Sequence, residues 1–167
     1  MFFVKNNNII CGIVKGEHNI MMEVYIKKLV KDESLPLPRY STDGAAGMDL
    51  YACVNKDVTI APGKVKLIPT GYAVKVPDGY EIQIRSRSGL ALKNGIIVLN
   101  SPGTIDSDYT GEIKIILINL GDTDFKVKKY DRIAQMVLNK IDKIQFTCTD
   151  NLPVTKRRNG GFGHTGI

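Results

Sequence analysis

Apolar residues in this chain recur in short alternating runs. Turn chemistry closes each run within about 8–12 residues, a rhythm that restricts the chain to an all-β architecture. Tyr72-Ala73-Val74-Lys75-Val76 and Tyr80-Glu81-Ile82-Gln83-Ile84-Arg85 alternate on either side of Pro77-Asp78-Gly79. Val24, Ile26, Leu29 and Val30 mark a first strand, and further strands are predicted over 57–60, 65–68, 96–99, 124–127 and 133–138. The run from Ile113 to Ile118 begins with alternation and becomes solidly apolar, as a strand buried on both faces would. Turns fall at Ala61-Pro62-Gly63, Ser101-Pro102-Gly103 and Leu120-Gly121-Asp122. One stretch departs from the rhythm. Ser88 to Lys93 holds good helix formers before Asn94-Gly95, which predicts one short helix with Ser88 as N-cap. Its start would aim backbone N–H groups beside Arg85, Ser86 and Arg87, a combination that binds anions. The expected fold is a jelly-roll-like β-sandwich or distorted barrel.

The 167 residues suit a single domain, and 43% hydrophobic against 24% charged is an ordinary globular balance. No apolar run reaches the roughly 18–20 residues of a membrane helix. Three separated cysteines (Cys11, Cys53, Cys148) make a poor disulfide framework, and His18 and His164 complete no zinc-finger spacing. A cytoplasmic protein is expected. The net charge of +6 lies at the ends: residues 1–31 and 151–167 each contribute +3, and the body between is neutral. A nucleic-acid reader carries its basic residues on a folded face, so neither nucleic acid nor membrane is an expected partner. The basic C-terminal end reads either as a solvated tail or as one that grips a small anion. Residues 1–21 show no signal-peptide pattern; either they are a leader or extension, or translation begins at Met21 or Met22, and the second reading is favoured. The domain is placed at 22–155, and 156–167 as a flexible glycine-rich tail.

Neither serine–histidine nor cysteine–histidine catalysis finds support, because both histidines lie far from the patterned body. The phosphate-loop and dinucleotide fingerprints are absent. What remains are carboxylates, arginines, serines and glycines in five tight clusters: 44–52 around Asp49, 85–91 around Arg87, 100–112 around Asp106, 130–135, and 157–166. Each alone has a bland reading as a loop, a surface charge, a solvent-facing hairpin or a loose tail. Together they equip a phosphate-handling site without covalent catalysis.

In this order and with these gaps, the clusters resemble the five motifs of the trimeric deoxyuridine triphosphate nucleotidohydrolases (dUTPases). The resemblance runs from about Tyr25 to Ile167 and includes Leu35-Pro36-Leu37-Pro38-Arg39-Tyr40. It implies a homotrimer with sites at subunit interfaces and hydrolysis of dUTP to dUMP and pyrophosphate. Asp106 matches the general base that activates water. Asn100, Thr104, Ile105 and Asp106 match the uracil slot, Tyr109 the residue under the deoxyribose, and Lys114 a substrate-contacting position of variable identity. Arg87, Ser88, Gly89 and Gln135 match phosphate contacts. Arg157 matches the arginine that approaches the terminal phosphate, and Phe162 the aromatic that stacks on uracil. The implied cofactor is Mg²⁺ held by the triphosphate, with Asp49 as an outer-sphere carboxylate and no direct protein ligand. Tyr130 departs from the pattern, standing where the fourth motif usually has glycine.

Competing readings are a dCTP deaminase or bifunctional deaminase–diphosphatase of the same superfamily, and a non-catalytic nucleotide-sensing or protein-binding member. A basic oligonucleotide-binding barrel is a third. The hydrolase form Ile105-Asp106-Ser107-Asp108-Tyr109-Thr110-Gly111 and the presence of Arg157 favour the hydrolase.

Overall fold

Strands that bury every second side chain need a facing layer to bury them against. The computed structural model, which describes residues 3–5, 8–10 and 22–161, provides it with two four-stranded antiparallel sheets. The strands are β1 (Phe3–Lys5), β2 (Asn8–Ile10), β3 (Tyr25–Lys28), β4 (Met48–Tyr51), β5 (Val58–Ile60), β6 (Val65–Lys75) and β7 (Tyr80–Arg85). After helix α1 (Ser88–Asn94) come β8 (Ile96–Val98), β9 (Gly103–Ile105), β10 (Glu112–Asn119), β11 (Phe125–Val127) and β12 (Arg132–Lys140). One sheet runs β3-β6-β10-β8 and the other β4-β12-β7-β9, with small pairs β1-β2 and β11-β5. Ile68 and Tyr72 of β6 and Ile115 of β10 share one buried cluster with Ile82 and Ile84 of β7 and Ile133 of β12. The expected all-β fold is present. It is a sandwich and not a closed barrel, since β3, β8, β4 and β9 remain sheet edges.

Several boundaries differ from expectation for identifiable reasons. The strands expected at 65–68 and 72–76 are one eleven-residue strand, β6. Two steps along β10, from Glu112 to Lys114, match four along β6, from Ala73 to Pro69. The surplus forms a bulge around Gly71, whose φ of +74° suits glycine. A Cβ there would lie 2.9 Å from Cys53 Sγ and 3.0 Å from Leu35 Cδ2. The Pro77–Gly79 turn does not close a hairpin; it carries the chain from one sheet to the other. Leu29 and Val30 fall beyond the end of β3 and are exposed. In β10 only Ile113, Ile115, Leu117 and Asn119 are buried, while Ile116 and Ile118 stay half-exposed because, among the described residues, no layer covers the outer face.

Helix α1 occurs where expected, but its N-cap is Arg87 (φ −86°, ψ 124°), not Ser88. Gly95 ends it at φ 65°, donating its N–H to the last-turn carbonyls in a left-handed cap. Most of the 1–21 segment and residues 162–167, including Phe162, lie outside the described residues. Among the described residues no helix is long and apolar enough to cross a membrane.

Candidate active site

The 100–112 segment builds the first half of the site. It is not the hairpin expected, because β9 pairs with β7 whereas β10 pairs with β6 and β8. The chain instead leaves one sheet at Ile105 and enters the other at Glu112. Asp106 is the first residue of this crossing and is exposed. A turn from Asp106 to Tyr109 is closed by the Tyr109 N–H on the Asp106 carbonyl at 3.2 Å. Lys75 Nζ, reaching from the end of β6, donates to the Ser107 carbonyl at 2.7 Å. The Tyr109 hydroxyl donates to the Glu112 carbonyl at 2.9 Å, folding its ring back over Gly111. Any larger residue at 111 would strike that ring, since a Cβ would come within 2.6 Å of the hydroxyl.

The crossing encloses a cavity of about 260 Å³ lined by Thr104, Ile105, Asp106, Tyr109, Glu112 and Lys114. Five of the six were singled out from sequence. Glu112 was in the cluster but had been given no role. Its Oε1 accepts the bulged Gly71 N–H at 3.0 Å and its Oε2 lies 3.5 Å from Lys114 Nζ, so it anchors the cavity wall to β6. The cavity falls short of the ~300–1,000 Å³ that encloses a drug-sized ligand. Asn100 is exposed and is not among the lining residues; its amide nitrogen packs near Gly103.

The second half is a charge network on the other sheet. Asp49 of β4 stands opposite Gln135 of β12, which in turn stands opposite Arg85 of β7. Arg87 Nε donates to Asp49 Oδ1 at 2.8 Å, and Arg132 Nη1 donates to Oδ2 at 3.1 Å. A further bond from Arg87 Nη1 reaches the Arg132 carbonyl at 3.0 Å. The Asp49 side chain is only 16% exposed and that of Arg87 24%, so this network is partly shielded from water, which strengthens it. Gln135 Nε2 donates to the Ser86 carbonyl at 3.2 Å, and the Ser86 hydroxyl accepts the Val98 N–H at 2.9 Å. Gly47 lies close beside this group, because a Cβ there would sit 2.8 Å from Gln135 Oε1 and would displace that amide. Ser88 and Gly89 open α1 and are exposed. Arg132 and Ser86 complete the network although no role had been assigned to them; the alternation of acid and arginine across three clusters was the available signal.

The described tail residues, 156–161, join neither half within this chain. Arg157 Nε donates to the Gly160 carbonyl at 2.8 Å, and Gly160 N–H returns a bond to the Arg157 carbonyl at 2.9 Å. Among the described residues no three His, Cys, Asp or Glu side chains gather as metal ligands. The donor set at Asp49 fits a water ligand of Mg²⁺. Each carboxylate oxygen already accepts one arginine bond and keeps a lone pair for a water ligand.

The dUTPase family model matches residues 33–166. The chain belongs to the dUTPase family. A deoxyuridine 5'-triphosphate nucleotidohydrolase of Thermoanaerobacter sp. (strain X514) is 56% identical over 142 residues, covering 85% of this chain and 96% of the relative. The Staphylococcus bacteriophage 80alpha dUTPase with dUPNHPP shares the fold at a TM-score of 0.78 and 24% identity, covering 86% of this chain and 98% of that one. A mutant dUTPase from phage phi11 of S. aureus, whose structure reveals the coordination of a structural Mg(II) ion, aligns with a TM-score of 0.69 and 20% identity over 78% of this chain and 99% of that one. The dUTPase match thus takes in all five clusters, and the described residues of the first four build the two halves of the site.

Proposed function

We propose that the chain hydrolyses dUTP to dUMP and pyrophosphate, which keeps uracil out of DNA and supplies dUMP for thymidylate synthesis in the cytoplasm. The observation that carries this reading is the cavity in which Asp106 shares walls with Thr104, Ile105 and Tyr109. Thr104 and Ile105, with Asn100 nearby, present backbone and amide groups to the uracil edge. Tyr109 underlies the deoxyribose, where a 2′-hydroxyl would collide, and Lys114 contacts the substrate from β10. Asp106 takes a proton from a water aligned opposite the α–β bridging oxygen. The water oxygen bonds the α-phosphorus, the α–β bond breaks, and its electron pair leaves with pyrophosphate.

Arg87 and Gln135, with Ser88 and Gly89 at the start of α1, hold the phosphate oxygens. Asp49 would hold Mg²⁺ through its water ligands, and the ion would supply charge neutralisation on the triphosphate. Arg157 covers the terminal phosphate and Phe162 stacks on uracil, so the 156–167 tail excludes water when it closes.

The protein acts as a homotrimer. Asp106 follows Ile105, which pairs with Ile82, whereas the phosphate-holding row contains Arg85. Four strand positions therefore separate the base from the grip within one chain, about 13 Å at ~3.3 Å per residue. A general base must reach its proton directly or through one water, so a second copy supplying the grip answers the gap. The 141–155 arm supports the same reading, because Phe146 is 86% exposed and Val154 85%, leaving both uncovered by the other described residues.

The deciding experiment measures pyrophosphate release from dUTP, dCTP, dTTP and UTP in parallel. Release from dUTP should exceed each of the others by well over about tenfold, because each alternative adds a clash or strands a buried polar group. Comparable rates on dCTP, or ammonia release from it, would favour a deaminase or bifunctional enzyme. Tight nucleotide binding without pyrophosphate would favour a sensor.

A further inference from the structure

Tyr130 occupies the left-handed backbone region at φ 64°, which is rare for a bulky residue unless its surroundings hold it there. Its surroundings do so at three points. The hydroxyl donates to Asp32 Oδ2. Lys129 Nζ reaches the same oxygen at 2.7 Å and lies 4.8 Å from the centre of the Tyr130 ring. Asp32 Oδ1 accepts the Ser34 N–H at 3.0 Å as well as the Ser34 hydroxyl.

Asp32 is a fixed platform and not a loose surface acid. Its carbonyl accepts the Leu35 N–H at 3.1 Å, and Leu35 is 1% exposed against the Gly71 bulge. The next residue, Pro36, accepts the hydroxyl of the fully buried Tyr72 through its carbonyl. The platform is thereby tied to the core of the sandwich.

On its other side Tyr130 enters the charge network within two residues. Its N–H donates to the Ala52 carbonyl at 2.7 Å, and the Asp131 carbonyl accepts the Ala52 N–H at 2.8 Å. Asp131 Oδ2 closes the turn by accepting the Lys128 N–H at 2.7 Å. Arg132 follows, aimed at Asp49 of the strand that ends beside Ala52.

We infer that Tyr130 and Asp32 form a latch that positions Arg132 on Asp49, and through it the phosphate-holding geometry of Arg87. Tyr130 is a positioning residue; it replaces the freedom of a glycine at a left-handed turn with an anchor 98 residues away in sequence. This inference rests on the proposed reading of the Asp49, Arg87 and Arg132 group as the phosphate grip.

The test uses the full chain and the variants Y130F, D32A and their double. Y130F retains the ring and the backbone demand and removes only the hydroxyl bond. Affinity for the analogue dUpNHpp should fall about 2- to 10-fold in Y130F, the range of one hydrogen bond, while affinity for dUMP, which lacks the outer phosphates, holds. The double variant should be no weaker than D32A alone if the two residues act as one device. In the ligand-free protein, amide exchange at Ala52 and Tyr130 should accelerate in Y130F while the β10 amides stay protected. Unchanged analogue affinity and exchange in Y130F would overturn the latch, as would an equal loss of dUMP and analogue binding. If the unmodified protein binds no analogue, the phosphate reading fails, and the exchange comparison alone then decides the latch.

Discussion

Arg87 and Asp49 meet through a single well-aligned bond, Nε to Oδ1 at 2.8 Å, while a second nitrogen of the same guanidinium reaches the Arg132 carbonyl. Only a planar fork can make both contacts. Arg87→Lys keeps the charge but loses the fork, so kcat/KM on dUTP should fall about 10- to 100-fold, the worth of a charged hydrogen bond. Steady-state kinetics checks this, and a wild-type value for the lysine variant would remove Arg87 from the grip.

Replacing Asp106 with Asn leaves the shape of the cavity and removes the proton acceptor. Turnover should drop ~10²–10⁴-fold with nucleotide binding largely retained. Turnover above about a tenth of the wild-type rate would show that another group activates the water.

Gly95→Ala should destabilise the fold. The position has φ 65°, and a Cβ would approach Gly121 N to 2.4 Å, backbone against backbone. The left-handed conformation alone costs ~1–2 kcal/mol for a residue with Cβ. At about 2–4 °C per kcal/mol for a chain of this size, Tm should fall by at least roughly 2–8 °C. Gly44→Ala, which has open space, is the control. Equal melting of the two variants would contradict the packing described.

Deleting residues 157–167 should reduce turnover by more than about tenfold, as loss of an arginine–phosphate contact implies, and leave melting nearly unchanged. Arg157→Ala should reproduce much of the defect. Full activity of the truncated chain would make the tail a solvated end.

The Asp32 carboxyl is held well below its ordinary 3.8, first by Lys129, then by Ser34 and Tyr130. A depressed carboxyl contributes stability that is complete above its unfolded value and is lost as the pH falls through the folded one. The Tm advantage of wild type over Asp32→Asn should therefore be constant above pH 3.8 and shrink on further acidification. Thermal melts across that range decide it; an advantage that grows in acid would reverse the sign.

Strand positions were legible because period-two alternation is a local property, and β7, β8 and β11 lie within a residue or two of where the pattern put them. The helix stop at Gly95 was legible for the same reason. Strand partners were not. The pattern divided 65–68 from 72–76, yet β6 continues through Pro69 and Gly71 because β10 tolerates the bulge and Glu112 satisfies the freed N–H. In the site, Asp106, Tyr109 and Lys114 could be named from their cluster, whereas Glu112 and Arg132 acquire roles only through bonds to residues 41 and 83 positions away. Tyr130 was visible as an anomaly, but its compensation by Asp32 is a long-range contact that no local pattern encodes.

The two arginines on Asp49 share one carboxylate, so the group presents one net positive charge, and not two, to an arriving anion. A fully cationic clamp would hold any polyanion, leaving groups included. A half-quenched one grips firmly only when other contacts hold the same molecule, and loosens once the chain of phosphates is cut. On the proposed reading, Asp49 thereby sets how readily the spent fragment departs, and speed of clearance is built into the resting charge of the site.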